Sequence, residues 1–273
     1  MRSLRAFLLG LLVLALGACA SFPLAGGGSS TDRLPRILES RELRVGLSGD
    51  QPPLNMKNKR GEIIGLEVDL IETLAQSMGL EARFVPMPFA DLLAALEKGE
   101  VDMVISGMTI TPERNARVAF AGPYIVSGKS ILTRSQKITN VESTAALDLP
   151  GRSYAALAGS TSERFVKDSL PRSQLVATPD YDTAVQMVID GQVDALVADF
   201  PFCEFAVLRH ANSKLASLVT PFTIEPLGIA LPADDPLFVN LVENYLSTLE
   251  NTGILTQLKA KWFSKGAWMS ELP

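Results

Sequence analysis

Cysteine and histidine are nearly missing from this 273-residue chain, which has two cysteines, Cys19 and Cys203, and one histidine, His210. With one thiol in the body of the sequence, an internal disulfide framework is excluded there, and Cys203 is expected to pack as a small hydrophobe. No second histidine or cysteine cluster stands at ligand spacing, so the sequence offers no zinc site. Cys203 and His210 fall on one expected helix, two turns or roughly 10 Å apart. That is too far for a nucleophile and its base, and His210 reads as a surface or helix-end residue. Neither a G-x-S-x-G elbow nor a G-x-x-x-x-G-K-[ST] loop is present, and no cofactor is expected. Positive charge is also short, at 25 Lys and Arg against 30 Asp and Glu. That balance argues against nucleic acid or an anionic membrane surface as the main partner.

What is there begins with a leader. Arg2 and Arg5 form a basic region, Ala6 to Leu16 an apolar one, and small residues follow. The apolar run falls short of the about 20 residues a membrane span needs. Leu16-Gly17-Ala18-Cys19 resembles a bacterial lipobox, the alternative being a plain secretory signal with an incidental cysteine. The resemblance implies a signal peptide over 1–18 and lipidation of Cys19, which tethers a protein to a bilayer without spanning it. Ala25-Gly26-Gly27-Gly28-Ser29-Ser30 is a flexible stalk, so 19–33 reads as anchor and tether and the fold should begin near Leu34. Loss of the two leader arginines moves the formal charge from −5 to about −7.

Strand and helix patterns then alternate. Leu43–Leu47 reads as a strand, Leu66–Met78 as an amphipathic helix ended by Gly79, and Ala82–Val85 as a strand. Phe89–Lys98 follows as a helix and Val101–Ile105 as a strand, and this order predicts an α/β fold with parallel pairing. The second half echoes the first: Gly99-Glu100-Val101-Asp102-Met103-Val104-Ile105 against Gly191-Gln192-Val193-Asp194-Ala195-Leu196-Val197. Ser106-Gly107 and Ala198-Asp199 therefore sit at equivalent strand ends, where open α/β sheets bind ligands.

Ser106 to Arg114 carries the most chemistry. Thr111 can cap a helix, Pro112 suits its first position and Glu113 its first turn. Backbone N–H groups, the Ser106 and Thr109 hydroxyls and the Arg114 guanidinium could converge on one carboxylate. The plain alternative is a strand-loop-helix connection with Arg114 in solvent. For Asp199 the alternative role is an N-cap for the helix starting at Pro201.

From Leu34 to Phe263 the chain resembles the family 3 solute-binding proteins of ABC importers, the polar amino-acid-binding group. The resemblance is carried by Leu43-Arg44-Val45-Gly46, Gly61 to Leu70, Val101 to Arg114, Gly159-Ser160-Thr161 and Val193 to Asp199. It implies a periplasmic-binding-protein-like type II fold: two α/β lobes joined by two crossover strands, with a ligand cleft between. Lobe 1 would take 34–127 and 225–273, lobe 2 would take 128–224, and a final helix around Leu237–Trp262 would pack on lobe 1. Arg114 would hold an α-carboxylate with Thr109, Ser106, Gly107, Ser160 and Thr161, and Asp199 would hold the α-ammonium. Ser48, Gln51 and Phe89 would line the ligand side chain. Ser48 replaces the family's usual aspartate and Gln51 a common aromatic, which favours a small or polar uncharged amino acid. Asp50 lies near, shifted by two.

The implied partners are an amino acid, the permease subunits of an importer and a membrane reached through the N-terminal lipid, for an exported monomer. One alternative class is a cyclohexadienyl dehydratase-like enzyme, in which a glutamate acid stands three residues after the position of Asp199. Here that position is Phe202. A second alternative is a free-standing amino-acid sensor.

Overall fold

The structure is a computed structural model that describes residues 33–141, 143–264 and 267–272; the leader, the stalk and Cys19 lie outside the described residues. Helix α1 (Arg33–Ser40) opens the described residues and buries Leu34 and Ile37. It leads into β1 (Glu42–Leu47) and a small antiparallel sheet of β2 (Asp50–Gln51), β3 (Asn55–Lys57) and β4 (Ile63–Ile64). Helix α2 (Leu66–Met78) ends at Gly79, whose φ of 67° lets the chain turn back while Leu80 donates to the Ala75 carbonyl. Next come β5 (Glu81–Pro86), a 3₁₀ turn at Phe89–Asp91, and α3 (Leu92–Lys98). After these stand β6 (Met103–Val104), the single-turn α4 (Pro112–Asn115) and β7 (Ala119–Ser127).

The chain then enters a second sheet. Its elements are β8 (Lys129–Thr133), β9 (Ser153–Leu157), α5 (Thr161–Ser169), β10 (Gln174–Thr178) and α6 (Tyr181–Ile189). They continue with β11 (Ala195–Asp199), α7 (Phe200–Arg209) and β12 (Ala216–Ser217). It returns through β13 (Glu225–Leu231), α8 (Pro236–Asn251) and α9 (Ile254–Phe263). The single closing helix expected over Leu237–Trp262 is thus two helices. Gly253 adopts φ 76° and breaks them, a conformation in which the run cannot continue as α-helix.

The sheets run β5-β1-β6-β13-β7 and β10-β9-β11-β8-β12. In each, three parallel strands meet an antiparallel strand that arrives from the crossover region. Strands β6 and β11 therefore hold matching places, each beside the first strand of its unit, as the internal echo predicts. β6 is shorter than the expected Val101–Ile105, yet Asp102 and Ile105 still donate to Arg44 and Gly46 of β1.

Two crossovers link the sheets, one at Gly128 between β7 and β8, the other between β12 and β13. They touch: a Cβ on Gly128 would lie 2.1 Å from the Thr223 carbonyl oxygen, while Lys129 N–H donates to Thr223 Oγ1 at 2.9 Å. One apolar cluster includes Phe89, Leu92 and Met108 from the first lobe with Leu132, Tyr181 and Phe202 from the second. The two lobes are closed on each other.

Candidate functional site

Arg114 begins the site. Thr111 caps the turn that carries it, its hydroxyl accepting the Arg114 N–H at 3.2 Å. The side chain then runs inward and is buried. Its Nη1 donates to the Thr109 carbonyl at 2.9 Å, and its Nη2 donates to the Gly159 carbonyl of the other lobe at 3.0 Å. The Phe89 ring lies 5.7 Å from the guanidinium carbon, close enough for a cation–π contact. Among the described residues no carboxylate lies within ion-pair distance of it. Burial, with Arg164 adding to it, pulls the Arg114 pKa down from 12.5 to about 10. The group remains a cation at neutral pH, desolvated and without a direct counter-ion. A group in this state can accept an anion as its counter-ion. Beside it the Thr109 and Thr161 hydroxyls meet across the lobes at 3.2 Å.

Other expected donors are committed elsewhere. Gly107 N–H donates to Glu67 Oε1 at 2.7 Å. The Ser160 hydroxyl accepts from Glu163 N–H, capping α5, and donates to the Leu157 carbonyl. Ser106 and Ser48 bond each other, and Ser48 donates to Asn55 Oδ1. Both serines thus brace the strand ends of lobe 1. The anchor of this bracing is Glu67, fully buried and receiving Gly107 N–H, Asn55 Nδ2 and the Tyr124 hydroxyl. Burial pushes its carboxyl above the ordinary range, with the three donors opposing that rise.

Asp199 stands first at the start of α7 but makes no capping bond there. Its Oδ1 accepts instead from Lys129 Nζ at 2.8 Å. The Lys129 Nζ lies 3.7 Å from Glu225 Oε2, which also accepts from Thr161 Oγ1 at 3.2 Å. Gln51 lies on the second oxygen, its Nε2 3.5 Å from Asp199 Oδ2. The carboxamide of Gln51 fills the space over Gly107, 2.4 Å from where a Cβ would be, and its Oε1 has no hydrogen-bond partner. The carboxamide therefore occupies the gap between the two lobe ends in this closed form.

Asp50, which sequence reasoning set aside, holds the other lobe directly by accepting Tyr181 N–H at 2.9 Å. Lys129 and Glu225 were missed altogether. Lys129 opens β8, every residue of which is buried, but the mixed polar and apolar sequence Lys129 to Thr133 carries no signal of that burial. His210 does end its helix, and Cys203 is buried.

The family model for bacterial extracellular solute-binding proteins, family 3, matches residues 43–265. Cyclohexadienyl dehydratase of Pseudomonas aeruginosa is 29% identical over 251 residues, covering 92% of this chain and 93% of that protein. The L-cystine-binding protein TcyJ of Escherichia coli is 27% identical over 230 residues, 84% of this chain and 85% of that one. Among solved structures, an ABC-transporter binding component from Wolinella succinogenes complexed with lysine gives a TM-score of 0.80 at 35% identity. It covers 84% of this chain and 98% of that chain.

Proposed function

Because the chain belongs to family 3 of the bacterial extracellular solute-binding proteins, we propose that it captures an α-amino acid between its lobes and delivers it to the permease of an ABC importer. In this reading lobe 1 (34–127 and 225–273) and lobe 2 (128–224) hinge at the two crossovers, and lipidated Cys19 keeps the exported monomer at a membrane. The observation that carries it is Arg114: a buried cation at the lobe junction, hydrogen-bonded to carbonyls of both lobes and lacking a carboxylate partner.

The ligand carboxylate takes the Arg114 fork and the Thr109 and Thr161 hydroxyls. The ligand ammonium takes Asp199 Oδ2, displacing the Gln51 amide. A zwitterion entering a dry cleft needs partners for both charges, and the two lobes divide them. The bound ligand therefore favours closure. Phe89 lies against the guanidinium and also lines a neighbouring cleft of about 510 Å³ with Ser48 and Asp50, a cleft that Arg114 and Asp199 do not themselves line.

A thermal-shift screen of the twenty amino acids against the full chain tests this reading. At about 100 times its Kd a ligand adds about 2.7 kcal/mol to stability. A flat response to all twenty overturns the proposal. The dehydratase relative raises an enzymatic reading, which requires a general acid at the ligand. Position 202, where that acid would stand, holds Phe202 stacked on Tyr181 at 4.1 Å. Sustained formation of phenylpyruvate from prephenate by the purified protein would reverse this preference.

A further inference from the structure

Lys129 is one of the least exposed side chains of the molecule, 2% accessible, and it lies beside the proposed ammonium site. It points between two carboxylates. Asp199 Oδ1 is 2.8 Å from its Nζ and Glu225 Oε2 is 3.7 Å away, while Thr161 and Thr223 hydroxyls complete the partners of Glu225. Two carboxylates against one ammonium leave a net single negative charge on this side of the cleft. Arg114 leaves a single positive charge on the other. These four groups taken together match one ammonium and one carboxylate.

We propose that Lys129 is a specificity-determining residue, a cation supplied by the chain itself in the place where a ligand's second cation would sit. The inference rests on the amino-acid-binding reading and names its ligand class: α-amino acids whose side chains carry no positive charge. A lysine or ornithine side chain reaching toward Glu225 meets the Lys129 ammonium instead of a free carboxylate, and like charges in a desolvated site repel. The other acidic part of the cleft is also partly engaged. Asp50 Oδ2 accepts Tyr181 N–H, Asp182 lies 3.5 Å from Arg209, and Lys57 lines the same opening. Removing Lys129 opens a channel the length of its own four-carbon stem, ending at two unneutralised carboxylates.

The test is calorimetry of the full chain with L-glutamine, L-serine and L-asparagine against L-lysine, L-ornithine and L-arginine. The wild-type protein is expected to bind at least one uncharged probe about tenfold or more tightly than any cationic probe. Lys129→Met is expected to shift that ratio toward ornithine and lysine by about tenfold or more, and Lys129→Arg to keep the wild-type order. Equal or tighter binding of a cationic probe by the wild type overturns the proposal, and so does an unchanged ratio in Lys129→Met. Should Lys129→Met fail to fold, Lys129→Gln, which also removes the charge but keeps a polar end, takes its place, and an unchanged ratio there overturns the proposal as well. A flat response to all twenty amino acids in the thermal-shift screen would instead overturn the amino-acid reading, and the inference with it.

Discussion

At the scale of residues, the site is a small number of desolvated charges whose partners are incomplete. Arg114→Ala removes a buried cation that has no direct counter-ion among the described residues, and it should cost about 2–5 kcal/mol of ligand binding, well over tenfold in Kd. Calorimetry with the responding amino acid measures it, and unchanged affinity would refute the clamp. Glu67 makes a second prediction. Burial raises its folded pKa above the usual glutamate value, so its protonated form is favoured in the native state. The stabilisation this gives is complete below the unfolded pKa of about 4.5 and is lost as pH rises through the folded value. Wild type should therefore gain stability relative to Glu67→Gln as pH falls from 7 toward 5. Urea unfolding of both proteins at the two pH values checks the sign.

Arg114 was legible because a short motif surrounds it. Lys129 was not, because nothing local distinguishes a buried lysine from an exposed one. Its partners lie 70 and 96 positions away in sequence, and only the crossing of two strands brings them together.

At the scale of elements, the helix-and-strand order was readable where end signals were strong, as at Gly79. The single closing helix that the resemblance implied over Leu237–Trp262 is instead broken in two at Gly253. The crossovers show a different kind of constraint. At Gly128 the neighbouring segment packs where a side chain would start, and the atom in the way is a backbone carbonyl rather than a flexible side-chain end. Gly128→Ala should force the crossovers apart and cost about 1–3 kcal/mol, as overpacking does. A lowered urea midpoint with an unchanged slope is the expected result. The same substitution at exposed Gly151, where the Cβ direction is open, controls for the change of residue type, although its φ of 82° adds some strain of its own.

At the scale of the molecule, the polar contacts between the two lobes include Arg114 to Gly159, Thr109 to Thr161, Asp50 to Tyr181, Gln51 to Asp199, Thr161 and Lys129 to Glu225, and Glu113 to Arg164. The Glu113–Arg164 pair is exposed and screened by solvent. Opening around a ligand breaks these polar contacts together with the shared apolar contact around Phe89, Tyr181 and Phe202. The anchoring proposal belongs to this scale too. Mass spectrometry of the protein from its native membrane should find the chain beginning at Cys19 with diacylglyceryl mass, and an intact leader would refute it.

The strand order has a consequence for how the polypeptide is born. β13 lies between β6 and β7 in the first sheet, yet it is made after the whole of the second. A chain emerging from its N-terminus must keep β6 and β7 apart, with their hydrogen-bonding edges unsatisfied, until Leu231 arrives. The second sheet, continuous in sequence from Lys129 to Ser217, faces no such wait. Unpaired edges of this kind invite association with other chains. The interval before β13 arrives is the point at which a nascent copy most needs shielding.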